Sequence, residues 1–330
     1  MASIGAAPHG LSEAAAAVVH GILGSTVEHS ERVDRGMMTF KCRVRTRSGE
    51  DVMVRFYPAG RSSIVNQEPD LLARCSQAGL PVPLTIGDSR TGPPAPLAYV
   101  AYLRIAGETL AERLPRLLDT ERERLACDLA GWLHRLKDIT FEGAGDLVSG
   151  TAARDVAWSA FVRESMLAGL EAVHRNALLP PSLTAVLERV LEASPSVHGR
   201  SSSGLVWGDI NFENVLVTHE GTIAGLIDFE GCLSGDPLAT LGYCLAVQGP
   251  SQFFDQLAGA WLAAAGFAPD PVGMAWYALL RTMRLARYAH LPLPTGRSRD
   301  PLVDIVPGIV PALLLLDPAS RIPLRRSSQR

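Results

Sequence analysis

The strictest alternation of apolar and polar residues lies between positions 38 and 58, where "MTFKCRVRTR" and "DVMVRFYP" flank the turn-forming "SGE". A period of two on both sides of a glycine turn predicts an antiparallel hairpin with one face toward a core. "SSIVNQEPDLLARCSQAGL" follows with a helical pattern that puts Leu71, Leu72 and Cys75 on one face and stops at Gly79 before "PVP". The residue before a proline avoids helical geometry, so Glu68, followed by Pro69, is expected at the start of this helix. "PLAYVAYLRIAG" predicts another strand, running into a turn at Gly107. From Glu108 onward the period becomes that of long helices. "ERERLACDLAGWLHRLKDI" carries Leu125, Leu129, Trp132, Leu133 and Leu136 at helical spacing, and "ARDVAWSAFVRESMLAGLEAVHRNAL" and "PSLTAVLERVLEA" continue in the same manner. This change of period divides the chain into a small β-rich unit, residues 1–104, and a larger helical unit, residues 105–330.

One β-rich stretch interrupts the helical half. "GLVWGD", "NVLVT" and "IAGLIDF" read as three short strands, with "HEGT" as a tight turn between the last two. Asp209 and Asn214 then lie on a loop between strands and Asp228 lies at the end of the third. Polar groups at neighbouring strand ends can converge on one point in space. Two readings compete for them: a catalytic base with two magnesium ligands, or a polar turn whose side chains cap local backbone groups.

Composition narrows the classes of function. A chain of 330 residues, 47% apolar and 20% charged, is long enough for a sizeable core and for two lobes. A net charge of -3, with basic residues scattered outside the tail "RIPLRRSSQR", leaves no electrostatic footprint for nucleic acid. The five cysteines are odd in number, widely spaced and without a CxxC pair, which argues against a disulfide framework or a zinc site and fits a reducing cytoplasm. "MASIGAAPHGLSEAAAAVVHGILG" lacks a cationic start and is interrupted by Glu13 and His20, so it reads as an amphipathic helix and not as a signal peptide. No apolar run reaches the roughly 18 residues that span a bilayer, so no membrane partner is expected.

The order of motifs resembles the aminoglycoside phosphotransferase family, bacterial relatives of protein kinases that phosphorylate antibiotics and small metabolites. "WGDINFEN" is similar to that family's His-Gly-Asp-x-x-x-x-Asn loop, "IDFEG" to its strand ending in Asp-Phe or Asp-Trp, and "GDP" to the Gly-Asp-Pro that follows. Upstream, "VMVRFYP" is similar to the third strand, "NQEPDLL" to the helix whose glutamate pairs with it, and "GWLHRL" to the helix before the catalytic loop. "FEGAGDL" followed by "AWSAF" is similar to members active on hygromycin-like substrates. The resemblance implies an α+β, two-lobed protein-kinase-like fold and transfer of a phosphoryl group from ATP or GTP with Mg2+. It assigns Asp209 as the base for an acceptor hydroxyl and Asn214 and Asp228 as metal ligands. Arg55 takes the place of the strand lysine or arginine that contacts phosphates, Glu68 orients it, and the backbone of Leu103 and Ile105 meets the adenine. Three departures stand out: the phosphate-covering region holds only Gly36, Trp207 stands where a histidine is usual, and "LATLGY" replaces a later Asp. Trp207 can pack and donate one N–H, and Asp236 is expected to tie the loop backbone.

The resemblance implies a small-molecule hydroxyl compound as acceptor. A polyamine antibiotic calls for a cluster of carboxylates, for which Glu213, Glu230, Asp255 and Asp304 are available; Trp276, Tyr277 and Arg281 would suit a less cationic, ring-containing or acidic compound. An antibiotic of the hygromycin or aminoglycoside type, modified to give resistance, is the leading expectation. A metabolic or biosynthetic kinase for a sugar, nucleoside or amino alcohol is the alternative, and a catalytically silent nucleotide-binding module is the third reading. A monomer or homodimer is expected.

Overall fold

The structure is a computed structural model and describes residues 10–34, 38–155, 157–193, 204–289, 309–314 and 316–317. The chain begins with helix α1 (Leu11–Leu23), then builds strands β1 (Val27–Val33), β2 (Phe40–Thr46) and β3 (Asp51–Tyr57). A 3-10 segment, Ala59–Asn66, precedes helix α2 (Glu68–Gln77), and β4 (Thr85–Asp88) and β5 (Ala98–Leu103) complete an antiparallel sheet of order β1-β2-β3-β5-β4. Phe40, Cys42, Val44, Val54 and Phe56 point to the face covered by Leu11, Ala15, Val18 and Val19 of α1. Period-two alternation therefore sends Lys41, Arg55 and Tyr57 to the opposite face, where Tyr57 packs with Val65, Val100 and Tyr102. The pattern over residues 62–80 resolves into two pieces, with the helix beginning at Glu68 as expected. Its first part is the 3-10 segment, and α2 starts at Glu68 because Pro69 fits only the first turn.

The second lobe opens with β6 (Glu108–Thr109) and α3 (Leu110–Arg113), whose N-terminus is closed by reciprocal Thr109 and Glu112 side-chain bonds. Helix α4 (Asp119–Leu136) is followed by β7 (Ala144–Leu147), β8 (Ala153–Asp155), α5 (Trp158–Asn176) and α6 (Pro181–Ala193). Residues 153–155, expected to be helical, are instead an edge strand paired with β7. The chain continues through β9 (Gly204–Val206), β10 (Val215–Val217), β11 (Ile223–Leu226) and β12 (Leu233–Gly235), then α7 (Leu238–Gln248), α8 (Gln252–Ala265) and α9 (Pro271–Ala286). Leu125, Leu129 and Leu133 of α4 join Leu257 and Trp261 of α8 in the main core, and α7 is buried on every side between its neighbours. Two small sheets, β11-β10-β6 and β8-β7-β12-β9, frame the loop that carries Asp209. Among the described residues no helix is long and apolar enough to cross a membrane.

Candidate functional site

Strand β9 delivers Trp207, Gly208 and Asp209 to the cleft, and a 3-10 turn at Phe212–Asn214 returns the chain into β10. The loop lies against the segment after Asp228 so closely that a Cβ on Gly208 would come within 1.9 Å of the Gly231 carbonyl oxygen. Asn211 closes the turn by accepting the Asn214 N–H at 3.1 Å. The Asn214 side-chain nitrogen donates to the Asp209 carbonyl at 2.9 Å, which leaves its side-chain oxygen as the atom free for a cation. Asp228 adopts φ 68°, a left-handed conformation that non-glycine residues rarely hold without support. That support comes from Trp207, whose Nε1 donates to the Asp228 carbonyl at 3.1 Å while its ring stacks on Phe229 at 5.3 Å between centroids.

Cations from the first lobe meet these carboxylates. Arg55 on β3, only 1% exposed, reaches Asp228 at 3.0 Å, Glu68 at 3.3 Å and Glu230 at 3.6 Å. Its cross-strand neighbour Lys41 lies 3.6 Å from the other Asp228 oxygen, and Arg61 of the 3-10 segment lies 3.2 Å from Glu230. Tyr57 donates its hydroxyl proton to Glu68. Burial alone would raise the Asp228 pKa, but Arg55 and Lys41 outweigh it and bring it down to about 2. For Glu230 burial wins: with the Asp228 charge added and Arg55 and Arg61 opposing, its pKa is pushed up to about 7. Asp209, with 44% of its side chain exposed, is raised above the usual carboxylate range by its enclosure and by Asp228, against the pull of Arg281, whose Nη2 donates to it at 3.2 Å.

This donor set fits a magnesium ion. All the available ligands are hard oxygens, from the Asp228 carboxylate and the Asn214 amide. Among the described residues no group of three His, Cys, Asp or Glu side chains could hold a metal by itself. Magnesium commonly takes one or two protein ligands and completes its shell with phosphate oxygens and water.

The other residues singled out in the sequence are distributed unevenly. Glu213 is exposed on the 3-10 turn, and Glu230 is held by Arg55 and Arg61. Asp255 is exposed on α8, while Gly36 and Asp304 lie outside the described residues. Trp276 and Tyr277 are 5% and 2% exposed in the core face of α9. The Tyr277 hydroxyl donates to Asp236 at 2.8 Å and accepts from Trp158 at 3.2 Å, and the second Asp236 oxygen accepts the Leu238 N–H at 2.9 Å, capping the start of α7. Leu103 gives its N–H to Leu84 at 2.9 Å, so that donor is not available to a base, whereas Ile105 has no backbone partner among the described residues and packs its side chain beside Gly225. Lys41 and Arg61 were not anticipated. The signal for Lys41 was its place directly across the hairpin from Arg55.

A family model described as the phosphotransferase enzyme family matches residues 32–278. The chain belongs to the phosphotransferase enzyme family. Membership makes the chain an enzyme that transfers a phosphoryl group. Its fold is shared with solved relatives. A thermostable mutant of the aminoglycoside phosphotransferase APH(4)-Ia, in ternary complex with ADP and hygromycin B, is 16% identical, with a TM-score of 0.65 over 92% of this chain and 96% of that one. A point mutant of the aminoglycoside 2'-phosphotransferase-IIIa, in complex with GDP, is 18% identical, with a TM-score of 0.66 over 93% and 96% of the two chains. A candidate fructosamine-3-kinase of Thermobifida fusca is also 18% identical, with a TM-score of 0.59 over 90% and 98%. No curated protein matches the sequence of the phosphotransferase.

Proposed function

We propose that this phosphotransferase carries out Mg2+-assisted transfer of the γ-phosphoryl group of ATP or GTP to a hydroxyl of a small molecule, with Asp209 as the base. The observation that carries the reading is the contact of Arg55 with Asp228 across the cleft at 3.0 Å, next to the loop that holds Asp209 and Asn214. A nucleotide bound there would have its phosphates between cations of the upper lobe and metal ligands of the lower one. Arg55 and Lys41 orient the phosphates, Glu68 holds Arg55, and Ile105 offers backbone groups to the base. Asn214 and Asp228 hold the ion, which supplies charge neutralisation on the transferring phosphoryl group. Asp209 receives the proton of the acceptor hydroxyl as its oxygen bonds to the γ-phosphorus and the bond to the β-phosphate oxygen breaks. Trp207 keeps Asp228 in its left-handed conformation, and Asp236 anchors the end of the site to α7 and α9.

An antibiotic of the hygromycin or aminoglycoside type is the acceptor favoured by the likeness to APH(4)-Ia and by "FEGAGDL" and "AWSAF", and resistance would follow from its modification. A metabolic kinase for a sugar derivative is the second reading, favoured by the Arg281–Asp209 contact and the likeness to the candidate fructosamine-3-kinase. Incubating antibiotics, sugars and nucleosides with Mg-ATP or Mg-GTP and scanning by mass spectrometry for a phosphate adduct tests both. Asp209→Ala is expected to lower transfer by about a hundredfold or more, the size of a general-base contribution. Unchanged transfer in that variant rules out the assigned base, and absence of acceptor-dependent turnover with any compound favours a silent nucleotide-binding module.

A further inference from the structure

Among the described residues, Arg281 is the arginine that reaches Asp209. Arg281 on α9 touches the Asp209 carboxylate at 3.2 Å and keeps 13% of its side chain exposed. One turn later Arg284 donates to Asp146 at 2.7 Å, and Arg154 lies 3.5 Å from Asp146 and 3.4 Å from Asp155. Among the described residues Asp146 is thus matched by two arginines, while Glu213 on the 3-10 turn after Asp209 stays exposed. Glu230, the acidic residue nearest the proposed metal ligand in sequence, is committed to Arg55 and Arg61. A polyamine seeking several unpaired carboxylates beside Asp209 would find Arg281 in the way.

The arginine is also incompletely satisfied. Its Nε is buried without a hydrogen-bond partner, and so is the hydroxyl of Tyr243 on α7. Tyr243 lies within the electrostatic reach of Arg281, Arg284 and Asp146, with burial pushing its pKa up to about 12 against the two arginines. Buried polar groups left without partners are uncommon and cost stability. The guanidinium gives Nη2 to Asp209 and keeps 13% of its side chain exposed, and it is this exposed part, not the buried Nε, that a group in the cleft can reach.

We propose that Arg281 is the specificity-determining residue of the acceptor subsite and that the acceptor is a polyhydroxy compound bearing a carboxylate close to the hydroxyl that is phosphorylated. The carboxylate takes guanidinium donors of Arg281 while the hydroxyl meets Asp209; a planar guanidinium is suited to two-point recognition of such a group. This assignment rests on the phosphotransfer reading above and takes its second acceptor, a sugar derivative, over the aminoglycoside, as a hydroxy acid.

Matched acceptors that differ in charge provide the test: gluconate against sorbitol, glucuronate against glucose, and hygromycin B as the polycation, each with Mg-ATP and Mg-GTP. The wild type is expected to favour the acid of each pair by at least tenfold in kcat/KM. Arg281→Gln is expected to level that preference through KM, and Arg281→Lys to restore part of it. Thermal melting establishes that the variants fold. Preference for hygromycin B or for the neutral compounds overturns the proposal, as does an equal loss on every acceptor in Arg281→Gln, which would make Arg281 a positioning residue for Asp209 alone. Failure to phosphorylate any of these compounds, in a protein that still binds Mg-nucleotide in an Asp228-dependent way, overturns the acceptor assignment and leaves the phosphotransfer reading standing. Absence of Mg-nucleotide binding overturns both.

Discussion

Glu68, Asp228 and Glu230 share Arg55, Lys41 and Arg61, and the sharing is unequal. Asp228 takes two cations and is held ionised, with its pKa brought down to about 2, while Glu230 is left at about 7. A carboxyl with a raised folded-state pKa binds its proton more tightly in the native protein, so stability falls as pH rises from the unfolded value of 4.5 toward 7. Glu230→Gln, which cannot ionise, is expected to be the more stable protein above pH 7 in metal-free buffer, by up to about 3 kcal/mol, and to lose that advantage near pH 4.5. Urea unfolding at several pH values checks this, and a pH-independent difference would contradict the assigned burial cost. Residues of the candidate site that lie in ordered motifs, Asp209, Asn214 and Asp228, are legible in the sequence because their spacing is local. Arg61 is not, since its meeting with Glu230 depends on how two distant lobes dock, and Lys41 is legible only through its place across the hairpin from Arg55. Trp276 and Tyr277 mislead for a related reason: composition gives their chemistry, but only packing puts them on the inner face of α9.

At the scale of elements, the loop after β9 is shaped by one steric demand. Gly208 and Gly231 bring two strand ends into backbone contact, and even a methyl group at position 208 would overlap the Gly231 carbonyl. Gly208→Ala is expected to push Asp209 and Asp228 apart, lowering kcat by at least tenfold and destabilising the fold by about 2 kcal/mol or more. Steady-state kinetics with denaturant unfolding checks both, and a variant with normal kcat would mean that the loop relaxes without moving Asp209. The hairpin of β2 and β3 and helix α4 follow directly from their periodicity. Strand β1 escapes it because "VEHSERV" is a polar edge with no buried position, and it is held by pairing with β2. Helix α7 escapes it for the opposite reason, being apolar on all sides and so without a moment to read. The strand at 153–155 carries too few residues to outweigh the helical pattern that follows it.

At the scale of the whole molecule, Arg55 and Lys41 face the carboxylates of Asp209 and Asp228 and the amide of Asn214 across a cleft. A Mg-nucleotide that bridges them binds the folded chain and not the unfolded one. At a hundred times its Kd it should add about 2.7 kcal/mol to stability, which is a rise of several degrees in Tm. EDTA should remove most of that rise, and Asp228→Asn should weaken it. A shift of equal size with and without the metal would count against Asn214 and Asp228 as its ligands.

The path between the lobes is fastened at one end. Gly107, with φ 150°, lies so near β10 that a Cβ there would come within 2.8 Å of the Val217 carbonyl oxygen, and Glu108 and Thr109 then pair with Val217 and Leu216. The Leu226 N–H, from the other arm of the same hairpin, donates to Pro81 at 2.8 Å. Residues 104–106 stand just above this seam. The arm of the hairpin that leads to Asp228 is thereby tied to the first lobe through Pro81, and the arm that leads from Asn214 to the second lobe through Glu108 and Thr109.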